Sequence, residues 1–366
     1  MKMQGWAFAS TISLIGMAAL ASCGSNDNSA LTGGGSAGSS AQIADCQRGN
    51  LKGEGSSAQK NAIDMAISSY GSACSGAQID YNPSGSGAGI KNFNAGQVDF
   101  GGTDSVLKPA ESAAGEKRCS SPTWHVPMVA GPIAVSYNVK GVDTLVLTPE
   151  LMARIFQGEI TTWNDPAIAE ANKDATLPST PIRVFFRSDE SGTTENFTRY
   201  LKAASGTAWK GEATKAWTGK GEGKEKSSGV AKAVKDSDGG ITYVELSYAK
   251  DNGLKLAQVD NGAGPVALTS DNVGKAISAA TQEGEGNDLR LKVDFAAKTP
   301  GAYPIVLVTY EIVCSDYQKD AQAAYVRSFL KHFASDSVQR GLEGRGYAPL
   351  PAEVLTKVRT TVDAIQ

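Results

Sequence analysis

The chain has 366 residues, 41% of them hydrophobic, with 35 Lys and Arg against 38 Asp and Glu for a formal net charge of −3. That composition supports at least one sizeable core, excludes a disordered, coiled-coil or collagen-like chain, and lacks the basic excess that contacts to a nucleic-acid backbone need. Glycine, at 41 residues, is over-represented and points to tight turns or backbone-lined sites.

Residues 1–22 carry Lys2 as their only charge, then an apolar run from Trp6 to Ala21 that ends in small residues. This is shorter than a membrane span and is expected to be a secretory signal peptide. Leu20-Ala21-Ser22-Cys23-Gly24 resembles the bacterial lipobox, which makes Cys23 the expected lipidation site. Residues 23–44, rich in Ser, Gly, Ala and Asn, read as a flexible, lipid-anchored tether. Four cysteines remain, Cys46, Cys74, Cys119 and Cys314, and in an exported chain they fit two disulfides with three possible connectivities. Cys46–Cys74 would bracket the first helix. No C-x-x-C occurs and the only histidines are His125 and His332, so no metal, cofactor or redox centre is expected.

From Ser57 onward, Ala62, Ile63, Ala66, Ile67 and Tyr70 recur at helical spacing, with a serine pair placed to cap the helix. Gln78–Tyr81 reads as a strand, Gly85–Ala95 as a helix and Gln97–Gly101 as another strand. His125–Asn138 and Tyr303–Cys314 are apolar runs of strand character. Between them lie a Pro-led helix at Pro149–Gln157, a strand at Pro181–Arg187, a helix at Thr193–Ala204, and strands at Ile241–Leu246 and Lys255–Val259. Lys210–Lys235, lysine-rich but interrupted by Glu212, Glu222 and Glu225, reads as a solvated loop or exposed helix. Asp320–Ala334 and Ala352–Ile365 close the chain as amphipathic helices. The alternation predicts an α/β architecture, and the length after the tether predicts two domains.

Three segments combine small polar residues with glycine ahead of a helix: Gly53–Ser57, Ser84–Gly89 and Arg187–Thr194. Helix N-termini expose unpaired N–H groups and a partial positive charge, and glycine lets an anion approach the backbone. One segment alone reads as an ordinary cap; three, one with an arginine able to grip an oxyanion, favour an anion site. Asp104, in Asp99-Phe-Gly-Gly-Thr-Asp104, has two readings. It caps the following turn, or it accepts a proton from the anion, which hydrogen phosphate can supply and sulfate cannot. The G-x-S-x-G match at Gly34–Gly38 lies in the tether with no strand before it, and no P-loop or dinucleotide fingerprint fits.

Together with Phe156-Gln-Gly-Glu-Ile-Thr-Thr-Trp-Asn-Asp-Pro166, Gly240-Ile-Thr-Tyr-Val-Glu245 and Tyr303-Pro-Ile-Val306, these segments resemble the phosphate-binding proteins of bacterial phosphate-specific (Pst-type) ABC importers. The resemblance runs from about Gly53 to the C-terminus. It implies an α/β, two-domain periplasmic-binding-protein (clam-shell) fold with ligand in the interdomain cleft. Lobe I would hold residues 45–129 and 305–366, and lobe II residues 130–304. By position it assigns phosphate binding to Ser57, the backbone of Ala58, Ser86, Asp104, Arg187, Ser191, Gly192 and Thr193, with Asp189 orienting the arginine. Ala58 stands where the family usually has an aromatic. Because Cys119 and Cys314 flank the two implied crossings between lobes, the second disulfide is expected to join them. The implied protein is a monomeric, non-enzymatic, extracytoplasmic receptor, held at the cell membrane by its lipid, that delivers inorganic phosphate to ABC permease subunits. A secreted phosphoester hydrolase would use the same anion cradle but lacks an evident nucleophile–base pair; an anion receptor feeding a sensor fits the lipid and tether equally.

Overall fold

The computed structural model describes residues 45–366; the expected signal peptide, the expected lipidation site Cys23 and the expected tether lie outside the described residues. The chain opens with β1 Gly49–Gly55, α1 Lys60–Ala73, β2 Ala77–Asn82, α2 Ser86–Asn94, β3 Phe100–Thr103, α3 Pro109–Cys119 and β4 Thr123–Asn138. Its middle adds β5 Val146–Leu147, α4 Pro149–Phe156, α5 Pro166–Ala171, β6 Arg183–Arg187, α6 Gly192–Ala204, β7 Glu222–Lys224, α7 Lys226–Lys235, β8 Gly240–Glu245 and α8 Leu246–Asp251. Then come β9 Lys255–Leu256, β10 Gln258–Asp260, β11 Pro265–Val266, α9 Ser270–Ser278, β12 Thr281–Gln282, β13 Leu291–Lys292, β14 Val306–Cys314, α10 Asp320–Phe333, α11 Asp336–Gly344 and α12 Ala352–Asp363.

One sheet carries the site, in the order β2-β1-β3-β14-β4-β8-β6-β7. β1, β2 and β3 are parallel, as their helical crossovers require. On the far side β8 and β6 are parallel, and so are β6 and β7. The halves meet on β4. Its first part, from Thr123 to Pro132, pairs antiparallel with β14, and Ile133–Asn138 then pairs with β8. Pro132 stands where the partner changes, a place where a missing N–H breaks no ladder. Both β4 and β14 are buried along nearly their whole length, which accounts for runs that are apolar without alternation.

On α1, Ala62, Ile63, Ala66 and Tyr70 are buried, the face the spacing predicts. The serine cap expected there is not used: α1 starts at Lys60 with Gln59 as its N-cap and no side-chain cap bond. Ser56 and Ser57 are drawn into the site instead. The strand expected at Gln97–Gly101 starts later, at Phe100, because Asp99 turns back to hold Lys52: its N–H bonds the Lys52 carbonyl and its carboxylate accepts the Lys52 N–H at 2.7 Å. Lys210–Lys235 is not simply solvated. It contains β7 and α7, whose Ser227, Val230, Ala231 and Val234 are buried, and Lys215 is buried with its Nζ 3.4 Å from Glu195 and 3.7 Å from Glu111.

Cys46 pairs with Cys74 across α1, and Cys119 pairs with Cys314, joining the end of α3 to the end of β14. The links span 28 and 195 residues. Loop-closure entropy makes them worth about 3.5 and about 5 kcal/mol. Urea denaturation of the two double-serine variants is expected to show the larger loss for Cys119/Cys314; the reverse ranking contradicts this assignment.

Candidate functional site

The site forms where β1, β3 and β6 end and the next helices begin. β1 leads into Ser56-Ser57-Ala58, all buried. Three tyrosine hydroxyls hold this loop by its carbonyls: Tyr81 donates to Ser56 at 2.9 Å, Tyr248 to Ser57 at 2.9 Å and Tyr347 to Ala58 at 2.7 Å. With its carbonyls taken, the loop turns the Ser56 hydroxyl to Asp104 and the Ser57 hydroxyl to Ser227. The Ala58 N–H, expected as a backbone donor, is committed within the loop, 3.1 Å from Ser56 Oγ. Ser56 Oγ is free to accept it because its proton goes to Asp104.

Asp104 follows β3 and is 3% exposed. Its Oδ1 accepts from Ser56 Oγ at 2.6 Å and Thr309 Oγ1 at 2.7 Å, while Oδ2 accepts from Ser86 Oγ at 3.3 Å. The Asp104 N–H in turn donates to Ser86 Oγ at 3.2 Å. The carboxylate is therefore no mere turn cap; it is held from three elements.

Arg187 ends β6 and is 2% exposed. Its Nε donates to Asp189 Oδ1 at 2.7 Å, its Nη2 to Asp189 Oδ2, and its Nη1 to Ser227 Oγ at 3.2 Å. Four residues after Arg187, Ser191 is the N-cap of α6, its Oγ accepting the Thr194 N–H at 3.2 Å. Gly192 and Thr193, as the first helical residues, have N–H groups with no intrahelical acceptor. Thr193 Oγ1 is buried without a hydrogen-bond partner.

These groups converge. A Cβ on Gly192 would sit 2.6 Å from both Asp104 Cβ and Ser86 Oγ, so only glycine lets α6 meet the Asp104 loop. Gly85, at φ 106, likewise lies where a Cβ would be 2.6 Å from Asp189 Oδ2. Asn196 ties the contact, donating to the Asp104 carbonyl at 2.6 Å. The structure thus brings together every expected site residue in the described part: Ser57, Ala58, Ser86, Asp104, Arg187, Asp189, Ser191, Gly192 and Thr193. It adds Ser56, Thr309, Asn196 and Ser227. Ser56 adjoins a residue singled out from the sequence, but Thr309 lies in an apolar strand and Ser227 in the lysine-rich stretch, where nothing local marks them.

Burial pushes the Asp104 carboxyl up from its ordinary value, opposed by its three hydroxyl donors and by the Arg187 charge. Burial acts to raise Asp189 too, but there the Arg187 hydrogen bond and charge outweigh it and hold the carboxyl low. A fully buried cation thus sits beside its counter-ion, while three hydroxyls surround a second carboxylate. The cluster can grip a small oxyanion that also has a proton to give. Neither histidine bonds to it; His125 pairs with Asp288 and Leu107, and His332 with Ser69. Among the described residues no group of three or more His, Cys, Asp and Glu is placed to hold a metal ion.

A family profile described as a PBP superfamily domain matches residues 40–337. The chain is 45% identical to phosphate-binding protein PstS 3 of Mycobacterium tuberculosis over 372 residues, covering 100% of both chains. It is 42% identical to phosphate-binding protein PstS 2 of the same organism, covering 96% of each. Among solved structures, a high-affinity periplasmic phosphate-binding protein with bound phosphate aligns at a TM-score of 0.69 and 24% identity, covering 85% of this chain and 93% of that one. A phosphate-binding protein from Stenotrophomonas maltophilia aligns at 0.66 and 22%, with the same coverage. At these identities the structural likeness is one of fold.

Behind the loop, Glu311 of β14 is fully buried opposite Gly102, with the Gln59 side chain as the polar group that favours its ionised form. Burial pushes it up to about 8, with the Asp104 charge adding to the effect. The folded chain therefore holds this proton more tightly than the unfolded chain, and stability falls as pH rises from about 4.5 to about 8. Glu311→Gln is expected to melt higher than wild type near pH 8.5, with the difference closing near pH 4.5. A pH-independent difference in thermal melts contradicts this.

Proposed function

The chain belongs to the phosphate-binding PstS family within the PBP superfamily, and from that premise we propose that it binds inorganic phosphate outside the cytoplasmic membrane and delivers it to an ABC importer. One observation carries the reading: a buried carboxylate, Asp104, lies within electrostatic reach of the buried guanidinium of Arg187 without being paired to it. A site built for any anion would exclude that carboxylate. A site for hydrogen phosphate uses it as the acceptor for the ligand's own proton, while a fully ionised sulfate is repelled.

In this reading Arg187, held by Asp189, grips the ligand oxygens, Ser57, Ser191 and Thr193 donate hydroxyls, and Ser86 donates its own once it is released from Asp104 Oδ2. Gly192 adds its helical N–H, and Ala58 adds its N–H once released from Ser56. The unpartnered Thr193 hydroxyl supports this, since a buried donor without an acceptor is costly unless a ligand supplies one. Lobe I comprises residues 45–129 and 305–366 and lobe II residues 130–304, with β4 and β14 as the crossing segments and closure of the two around the ligand. The protein acts as a monomeric receptor and not as an enzyme, anchored through Cys23 by lipid and joined to the folded part by the tether.

Calorimetry of the purified protein is expected to give one phosphate bound per chain, with sulfate at least about 100-fold weaker and no phosphoester hydrolysis. Arg187→Ala is expected to weaken phosphate binding by about 100-fold or more, because it strands Asp189 as well as losing the grip. Asp104→Asn is expected to narrow the preference for phosphate over sulfate. Turnover of a phosphoester that depends on Arg187 would point instead to a hydrolase, and an unchanged preference in Asp104→Asn would falsify the role given to that carboxylate.

A further inference from the structure

Ser227 lies in a stretch whose composition marks it as solvated, yet it is 0% exposed. Its Oγ is 3.0 Å from Ser57 Oγ, and its N–H donates to that same oxygen at 3.2 Å. Its Oγ also accepts from Arg187 Nη1 at 3.2 Å. The residue before it, Lys226, has φ 64, a left-handed conformation disfavoured for any residue with a Cβ. That conformation places the Lys226 N–H 2.9 Å from Asp189 Oδ1 and the Ser227 N–H on Ser57. The backbone is strained where it meets both Arg187's counter-ion and Ser57.

Counting protons fixes a direction. A serine hydroxyl has one proton and two lone pairs. Ser227 Oγ takes an Arg187 N–H in one lone pair, and Ser57 Oγ takes the Ser227 N–H in one of its own. If Ser57 gives its proton to the ligand, the Ser227 proton goes to the remaining lone pair of Ser57. The chain then runs one way, from Arg187 Nη1–H to Ser227 O–H to Ser57 O–H to the anion, and the guanidinium charge polarises both hydroxyls. In the reverse order Ser57 spends its proton on Ser227 and presents none to the ligand. Asp189 and Ser227 together take three of the five guanidinium N–H groups. One is left on Nη1 and one on Nη2, the pair an oxyanion accepts.

We propose that Ser227 is a positioning residue of the phosphate site, relaying the Arg187 charge to Ser57 and directing the Ser57 proton at the ligand. This rests on the reading of the cluster as a phosphate site. Phosphate affinity is measured by calorimetry, beside thermal melts, for wild type, Ser57→Ala, Ser227→Ala and the double variant. Ser227→Ala is expected to weaken phosphate binding about tenfold, with its melting temperature within about 2 °C of wild type. Because its effect runs through Ser57, the double variant is expected to bind no more than about twofold more weakly than Ser57→Ala. Unchanged affinity in Ser227→Ala, or losses that multiply in the double variant, overturn the relay while leaving phosphate binding intact. Failure of the wild type to bind phosphate overturns the functional reading, and the relay with it.

Discussion

Arg187 and Asp104 are both almost wholly removed from water within electrostatic reach of each other, and most of the surrounding architecture answers the cost of putting them there. A buried charge is tolerated only when it is paired or richly hydrogen-bonded. Arg187 has Asp189 against its Nε and Nη2 edge. Asp104 has no lysine or arginine in contact and relies on Ser56, Thr309 and Ser86. That division leaves the arginine with donors to spare and the carboxylate with an oxygen, Oδ2, bonded only at 3.3 Å.

Such a cleft works only if its walls do not yield. The Ser56–Ala58 loop is pinned through three successive carbonyls by tyrosines from β2, from α8 and from the segment after α11. Gly192 and Gly85 bring backbone against Asp104, Ser86 and Asp189 at distances no Cβ would allow. Lys226 accepts a left-handed backbone so that two N–H groups point inward. The donors are thus oriented in advance, which lowers the ordering cost of holding a small ion.

Periodicity made α1 legible, because its buried face repeats at the helical spacing whatever packs against it. The apolar runs of β4 and β14 were legible for a related reason, burial on both sides. Boundaries were less so: the β3 strand starts at Phe100 because Asp99 is held to Lys52, 47 residues away in the chain. The serine cap expected for α1 failed for the same kind of reason, since Asp104 and Ser227 compete for those hydroxyls and win.

By itself, the order of residues along this chain determined the α/β class and the helices and strands with strong periodicity. It also marked the glycine-and-hydroxyl segments, with Arg187 and Asp104, that point to an anion, since these depend on local spacing and on side-chain chemistry. Only the tertiary structure decided that Thr309, 205 residues from Asp104, completes its hydroxyl shell. Only it brought Ser227, 170 residues from Ser57, between that serine and Arg187. Those contacts cross from one strand or helix to another, and nothing in the residues flanking Thr309 or Ser227 differs from an ordinary apolar strand or a polar surface helix.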